Sequence, residues 1–120
     1  MKRDMDLIRK IILASRATDG YLHKLQGVDQ ETFGYHVWLI RQAGLAECQV
    51  DWSVDGPPAR PVLAFVERLT WTGQDFADSI TDETIWRKAT ESVVKPAASF
   101  TFDILKDVIS NLITAGIPGL

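Results

Sequence analysis

Hydrophobic residues near the amino terminus fall at Leu7, Ile8, Ile11 and Ile12 with charged residues between them, one apolar stripe at helical period. The spacing predicts a helix from about Asp4 to Ser15 or Arg16, with Asp4 and Asp6 where a helix N-terminus favours negative charge. Thr18-Asp19-Gly20 breaks it, and Tyr21 to Gln26 alternates weakly, as a short strand or a degenerate helix would. Asp29 is a good N-cap for a second long helix, with Thr32 in the place a capping box gives to Glu. Its expected inward stripe is Phe33, His36, Val37, Ile40 and Ala43, with Leu39 beside it, and the chain leaves through Gly44. Tyr35, Trp38, Arg41 and Gln42 then look outward as a contact surface, unless Trp38 instead packs under the following hairpin or the C-terminal helices.

Beyond Gly44 the period changes to two. Cys48, Val50, Trp52 and Val54 alternate with Gln49, Asp51 and Ser53, the pattern of a half-buried strand. Asp55-Gly-Pro-Pro-Ala-Arg-Pro61 reads as a loop, because proline fixes its own backbone and donates nothing to a ladder. Val62 to Leu69 is the returning strand, and Arg60 lies near the tip. Thr70 or Thr72 caps a third helix through Ile80 that buries Trp71, Phe76 and Ile80. Thr81-Asp82 opens another, carrying Ile85, Trp86 and Val93 and ended by Pro96. A last helix from about Ser99 carries Ile104, Leu105, Val108, Ile109, Leu112 and Ile113, a stripe too apolar to face water alone.

Helix, glycine exit, hairpin and helix in this order predict an α+β fold with a winged-helix-like core over residues 1–80. Residues 81–120 form a C-terminal helical extension packed on the same domain. There is little room for the second of the three helices such domains usually carry. At 120 residues and 46% hydrophobic content the chain can bury one core. No apolar run approaches the roughly 20 residues of a membrane span, and the start lacks a signal peptide, so a cytoplasmic protein is expected.

Charge and chemistry narrow the function. Residues 1–70 hold nine Lys or Arg and nine Asp or Glu, residues 71–120 four and seven, for a net charge of −3. A duplex-binding face would therefore have to be assembled locally. The two histidines, His23 and His36, lack metal-ligand spacing, and no nucleophile elbow or phosphate loop occurs among the eight glycines. Asp75 with Asp78 and Asp103 with Asp107 share helical faces, as solvated or dipole-favoured carboxylates commonly do. The lone Cys48 is read as a small buried hydrophobe. No enzyme, metal or cofactor is expected, and His36 is expected to be a structural, hydrogen-bonded residue.

The start Met1-Lys-Arg-Asp-Met-Asp-Leu-Ile-Arg-Lys-Ile-Ile, the segment Tyr35-His36-Val37-x-Leu39-Ile40 with Ala43-Gly44-Leu45, and Arg68-Leu-Thr-Trp-Thr-Gly-x-Asp75-Phe76 together carry a resemblance. Ile85-Trp86 and Ser99-Phe-x-Phe102-Asp103-Ile-Leu-Lys106 extend it over nearly the whole chain. The chain resembles a family of short bacterial and prophage-borne proteins catalogued as a domain of unknown function. The resemblance implies no catalytic residue, and its likeness to winged-helix regulators is an analogy of fold. The reading that follows is a non-enzymatic, double-stranded-DNA-binding transcriptional regulator of prophage or mobile-element origin. Tyr35, Trp38, Arg41 and Gln42 occupy the groove helix and Arg60 the wing. The alternative is a protein-interaction module, or phage accessory, docking on a host or defence protein through the same aromatic face. A homodimer through the C-terminal helix, with Leu105, Val108, Ile109 and Leu112, is expected from its apolar stripe and from the two-fold habit of groove-reading proteins.

Overall fold

A computed structural model describes residues 1–93 and 101–115. By contacts the chain divides into two compact units, Met1–Ala77 and Asp78–Leu120, so the division falls three residues before the boundary expected from sequence.

The first unit begins with α1 (Met5–Ala17), capped by Asp4, whose carboxylate accepts the amides of Asp6 and Leu7. Leu7, Ile8, Ile11 and Ile12 are buried as the stripe predicts. Instead of a second helix, residues 18–29 run as a loop that contributes one β-bridge. Leu22 and Val66 exchange both backbone hydrogen bonds at 3.0 Å. The weak alternation from Tyr21 is therefore a one-residue strand with Leu22 facing the core.

Helix α2 (Gln30–Gln42) starts on Asp29, whose side chain accepts from the Thr32 amide at 3.0 Å. The Thr32 side chain, and after it the Thr32 amide, hold the Asp29 carboxyl below its usual value. The helix ends in a Schellman motif: Leu45 N–H reaches the Ile40 carbonyl, Gly44 N–H reaches Arg41, and Gly44 sits at φ 74°, which favours glycine. Ala43, expected to point inward, is exposed, because it is the C-cap and Leu45 beyond the turn takes the buried place.

Strands β1 (Ala46–Trp52) and β2 (Pro61–Leu69) form the antiparallel hairpin. Register shifts at Glu47/Cys48 and Asp51/Trp52 interrupt the ladder. The strand therefore ends at Trp52, and Val54, expected on the core face, is 92% exposed in the connecting loop. Cys48 is buried, and loss of solvent pushes its thiol up to about 12, which suits a packed hydrophobe rather than a nucleophile.

Helix α3 (Trp71–Ser79) is capped by Thr70, whose hydroxyl donates to the Gly44 carbonyl at 2.6 Å and accepts from Gly73 N–H at 3.0 Å. The inward positions are Gly73, Phe76 and Ala77. Trp71, expected in the core, is 85% exposed. It lies two residues from Gly73, about 200° around the helix, and so faces water. In the second unit Asp82 caps α4 (Glu83–Val93) by accepting from Thr84 and Ile85 amides, and α5 (Phe102–Ala115) packs against it. Pro96 and Ser99 lie outside the described residues. No helix among the described residues is long and apolar enough to cross a membrane.

Two contacts of the first unit are open to direct test. His36 is almost fully buried between α1 and α2. Its Nε2 accepts from Asp4 N–H at 2.8 Å, so the other ring nitrogen, Nδ1, carries the proton and donates to the Thr32 carbonyl at 2.8 Å. Replacing His36 with Gln should lower urea stability by about 1–3 kcal/mol, the cost of a buried polar group left unpaired. A variant as stable as the native protein would show that the ring does not secure the helix start. A Cβ at Gly73 would stand 1.8 Å from the Leu45 carbonyl oxygen, and backbone cannot yield as a flexible side chain does. Gly73→Ala should cost about 3 kcal/mol in the same measurement, whereas Trp71→Ala next to it should change stability by less than about 0.5 kcal/mol.

Candidate nucleic-acid or partner interface

The sequence-predicted contact residues of α2 occupy one stripe, but they do not share one environment. Tyr35 and Trp38 are half-buried, whereas Arg41 and Gln42 are exposed. The rings of Tyr35 and Trp38 lie 5.9 Å apart, and Trp38 meets Trp52 of β1 edge-on at 5.5 Å and 86°. Trp38 therefore packs on the hairpin, the alternative that the sequence left open. Tyr35 is also edge-on to His36 at 5.4 Å. The aromatic pair is a spine joining helix to hairpin as much as a surface, and its exposed edges are what remain for a ligand.

Hairpin and helix approach closely at Gly34. A Cβ there would fall 2.6 Å from Pro61 Cβ, so the missing side chain lets β2 lie on the helix. Arg60 immediately precedes this contact and is exposed, while its carbonyl accepts from Ser53 N–H at 2.7 Å and closes the base of the loop. Arg41 lies seven positions along the helix from Gly34, about 10 Å by helical rise, and is close enough to Cys48 to act on its thiol. Arg41 thus lies toward the carboxyl-terminal end of α2, and Arg60 follows the loop into the contact at Gly34. The amino-terminal end of α2 carries Asp29 and Glu31 instead of basic residues.

The other group singled out from sequence is on α5. Leu105 and Ile109 are buried within the chain itself. Val108 and Leu112 are half-buried, whereas Ile104 and Ile113 are exposed. The described residues contain no group of three His, Cys, Asp or Glu arranged to hold a metal ion.

Sequence reasoning missed a second aromatic group on the hairpin's other face. Tyr21 stacks on Phe65 at 5.0 Å with planes 9° apart, and His23 tilts over the same ring at 5.7 Å. The signal was present as alternation in Tyr21-x-His23 and Leu63-x-Phe65, but nothing in the sequence pairs the two segments. Only the Leu22 bridge to Val66 aligns them.

No solved structure matches the chain. An uncharacterized protein of Haemophilus influenzae is 29% identical over 123 residues, covering 95% of this chain and 97% of its own. A family model described as "Hypothetical protein (DUF2513)" matches residues 2–99, which include all of α1 to α4 and the hairpin. Because that match spans most of the sequence, the chain belongs to the DUF2513 family.

Proposed function

We propose that the protein is a non-enzymatic binder of double-stranded DNA, acting in cytoplasmic transcriptional regulation of prophage or mobile-element origin, with α2 presented to a groove and the hairpin loop beside it as a wing. The observation that supports this reading is the exposure of Arg41 and Gln42 at the end of α2 and of Arg60 in the hairpin loop, next to the Pro61 that packs on Gly34 of the same helix. Basic side chains at a helix end and a wing position a duplex by its phosphates, while a polar side chain such as Gln42 can read base edges. The element order of the first unit, helix, bridge, helix and hairpin, is also that of a winged helix lacking its second helix.

The charge balance makes the binding weak. With Asp29 and Glu31 at the start of α2, we expect about two to four phosphate contacts, each contributing about 0.9 to the slope of log affinity against log salt. The alternative, docking on a host or phage protein, draws on the exposed edges of Tyr35 and Trp38, which are large and apolar enough to anchor a protein partner.

Gel-shift titrations on genomic fragments at two salt concentrations discriminate the readings. Arg60→Ala should reduce the salt slope by about one and weaken all sequences alike, whereas Gln42→Ala should weaken a preferred site selectively. No shift at tens of micromolar protein in low salt would sink the DNA reading. A dimer would pair two such surfaces, and the exposed Ile104 and Ile113 of α5 support one. Light scattering at micromolar concentration should give twice the chain mass, falling to the monomer in Ile104→Glu/Ile113→Glu. A native monomer there removes the dimer.

A further inference from the structure

The face of the hairpin turned away from α2 carries an exposed aromatic strip with acidic borders. Tyr21, 48% exposed, and Phe65, half-buried, stack in parallel, the exposed His23 tilts over Phe65, and Leu63, 45% exposed, continues the strip along β2. The register sets Gln49 across from Phe65 and Asp51 across from Leu63, and Gln49 donates to Glu67 at 3.3 Å, which places that carboxylate on the same face. Arg68 is the cation of these two strands, and it is engaged by Glu47 and lies 3.8 Å from Glu67. On the strands three carboxylates, Glu47, Asp51 and Glu67, therefore stand against one arginine, and the Tyr21–His23 segment adds the exposed Lys24, which leaves the group one charge negative.

Water-facing positions of a half-buried hairpin are ordinarily polar, so a row of exposed rings there calls for a ligand with a matching surface. Stacked rings offer π faces, which attract planar bases and cations alike. The net negative charge decides between them. Strands of nucleic acid need a basic groove, whereas a guanidinium can lie flat on Tyr21 and bond a neighbouring carboxylate. We propose that this outer face docks an arginine-bearing segment of a partner protein, with Tyr21 and Phe65 as the stacking platform and Asp51 and Glu67 as the charge partners. The site is independent of the DNA surface, which lies on α2 and the loop.

The test is an NMR titration of the isotopically labelled full-length protein with a capped hexa-arginine peptide in low salt. Hexalysine, hexaglutamate and an oligothymidylate strand are titrated in parallel. Saturable shifts should gather at Tyr21, His23, Asp51, Leu63 and Phe65 and leave α2 unmoved, with hexa-arginine tighter than hexalysine and hexaglutamate silent. Tyr21→Leu keeps an apolar contact on Phe65 and changes no charge, so its expected weakening of about fivefold reports stacking rather than general attraction. Asp51→Asn, at an exposed position, should weaken binding by a similar factor, and added salt should weaken it further. Equal affinity for native and Tyr21→Leu protein would overturn the proposal, as would shifts centred on α2 or no saturable binding. Preference for the oligothymidylate would reassign the face to nucleic acid, and concentration-dependent shifts confined to Tyr21, His23, Leu63 and Phe65 without any peptide would assign it to a second copy. A failed gel shift with genomic DNA leaves this result unaffected, because the two readouts address opposite faces.

Discussion

The Leu45 backbone is where the first unit is tied together. Its N–H closes the Schellman turn onto Ile40, and its carbonyl receives the Thr70 amide at the far end of the hairpin. The same carbonyl lies so near α3 that only glycine fits at position 73. Helix α2, both strands and the start of α3 thus meet at one residue whose side chain is buried. Thr70 reinforces the junction by bonding the Gly44 carbonyl and capping α3 with the same hydroxyl. A helix end normally leaves orphan carbonyls; here the turn and the next helix's cap use them, so capping and tertiary packing are one arrangement.

From that junction the helix is held against the hairpin along its length, and this determines which side chains remain for a ligand. Gly34 lets Pro61 approach, Trp38 locks edge-on to Trp52, and Phe33, Val37 and Ile40 fill the space beneath. His36 joins the other side of α2 to the first residue before α1 through a backbone amide. Every ring on the inner and lateral sides of α2 is thereby engaged in packing. What remains at the surface is the uncovered edges of Tyr35 and Trp38 beside the polar Arg41 and Gln42, with Arg60 from the loop.

The hairpin consequently has two unlike faces. One is covered by α2 and carries the basic candidates at its margins. The opposite face bears exposed rings bordered by carboxylates, although neighbouring residues in sequence supply both. Strand alternation is what separates them: Trp52 turns toward α2 while Asp51 turns away, and Phe65 and Glu67 turn away while Ala64 and Val66 are buried. A chain with no overall basic character in this way gives the two sides of one hairpin different side chains, because a strand's period of two sorts them.

Local signals were enough to read most elements from the chain itself. Apolar spacing with the acidic residues at Asp4 and Asp6, the Asp29 cap and the Thr81-Asp82 opening gave the starts of α1, α2 and α4, Gly44 the exit of α2, and alternation the hairpin, since each depends on neighbours within a few residues. Family membership was legible for a similar reason, in contiguous motifs spread over the chain. What depended on distant partners was not legible. Ala43 and Val54 followed the periodic pattern yet lie at a cap and beyond a bulge, where the backbone leaves the period. Trp71 was read inward on hydrophobicity alone, but its direction was fixed by Gly73 meeting Leu45. Whether Trp38 faced solvent depended on Trp52, and the Tyr21–Phe65 stack depended on a single bridge between segments more than forty residues apart. Sequence period determines which side of an element a residue occupies; the tertiary structure alone decides what stands opposite that side, because burial is a property of the partner as much as of the residue.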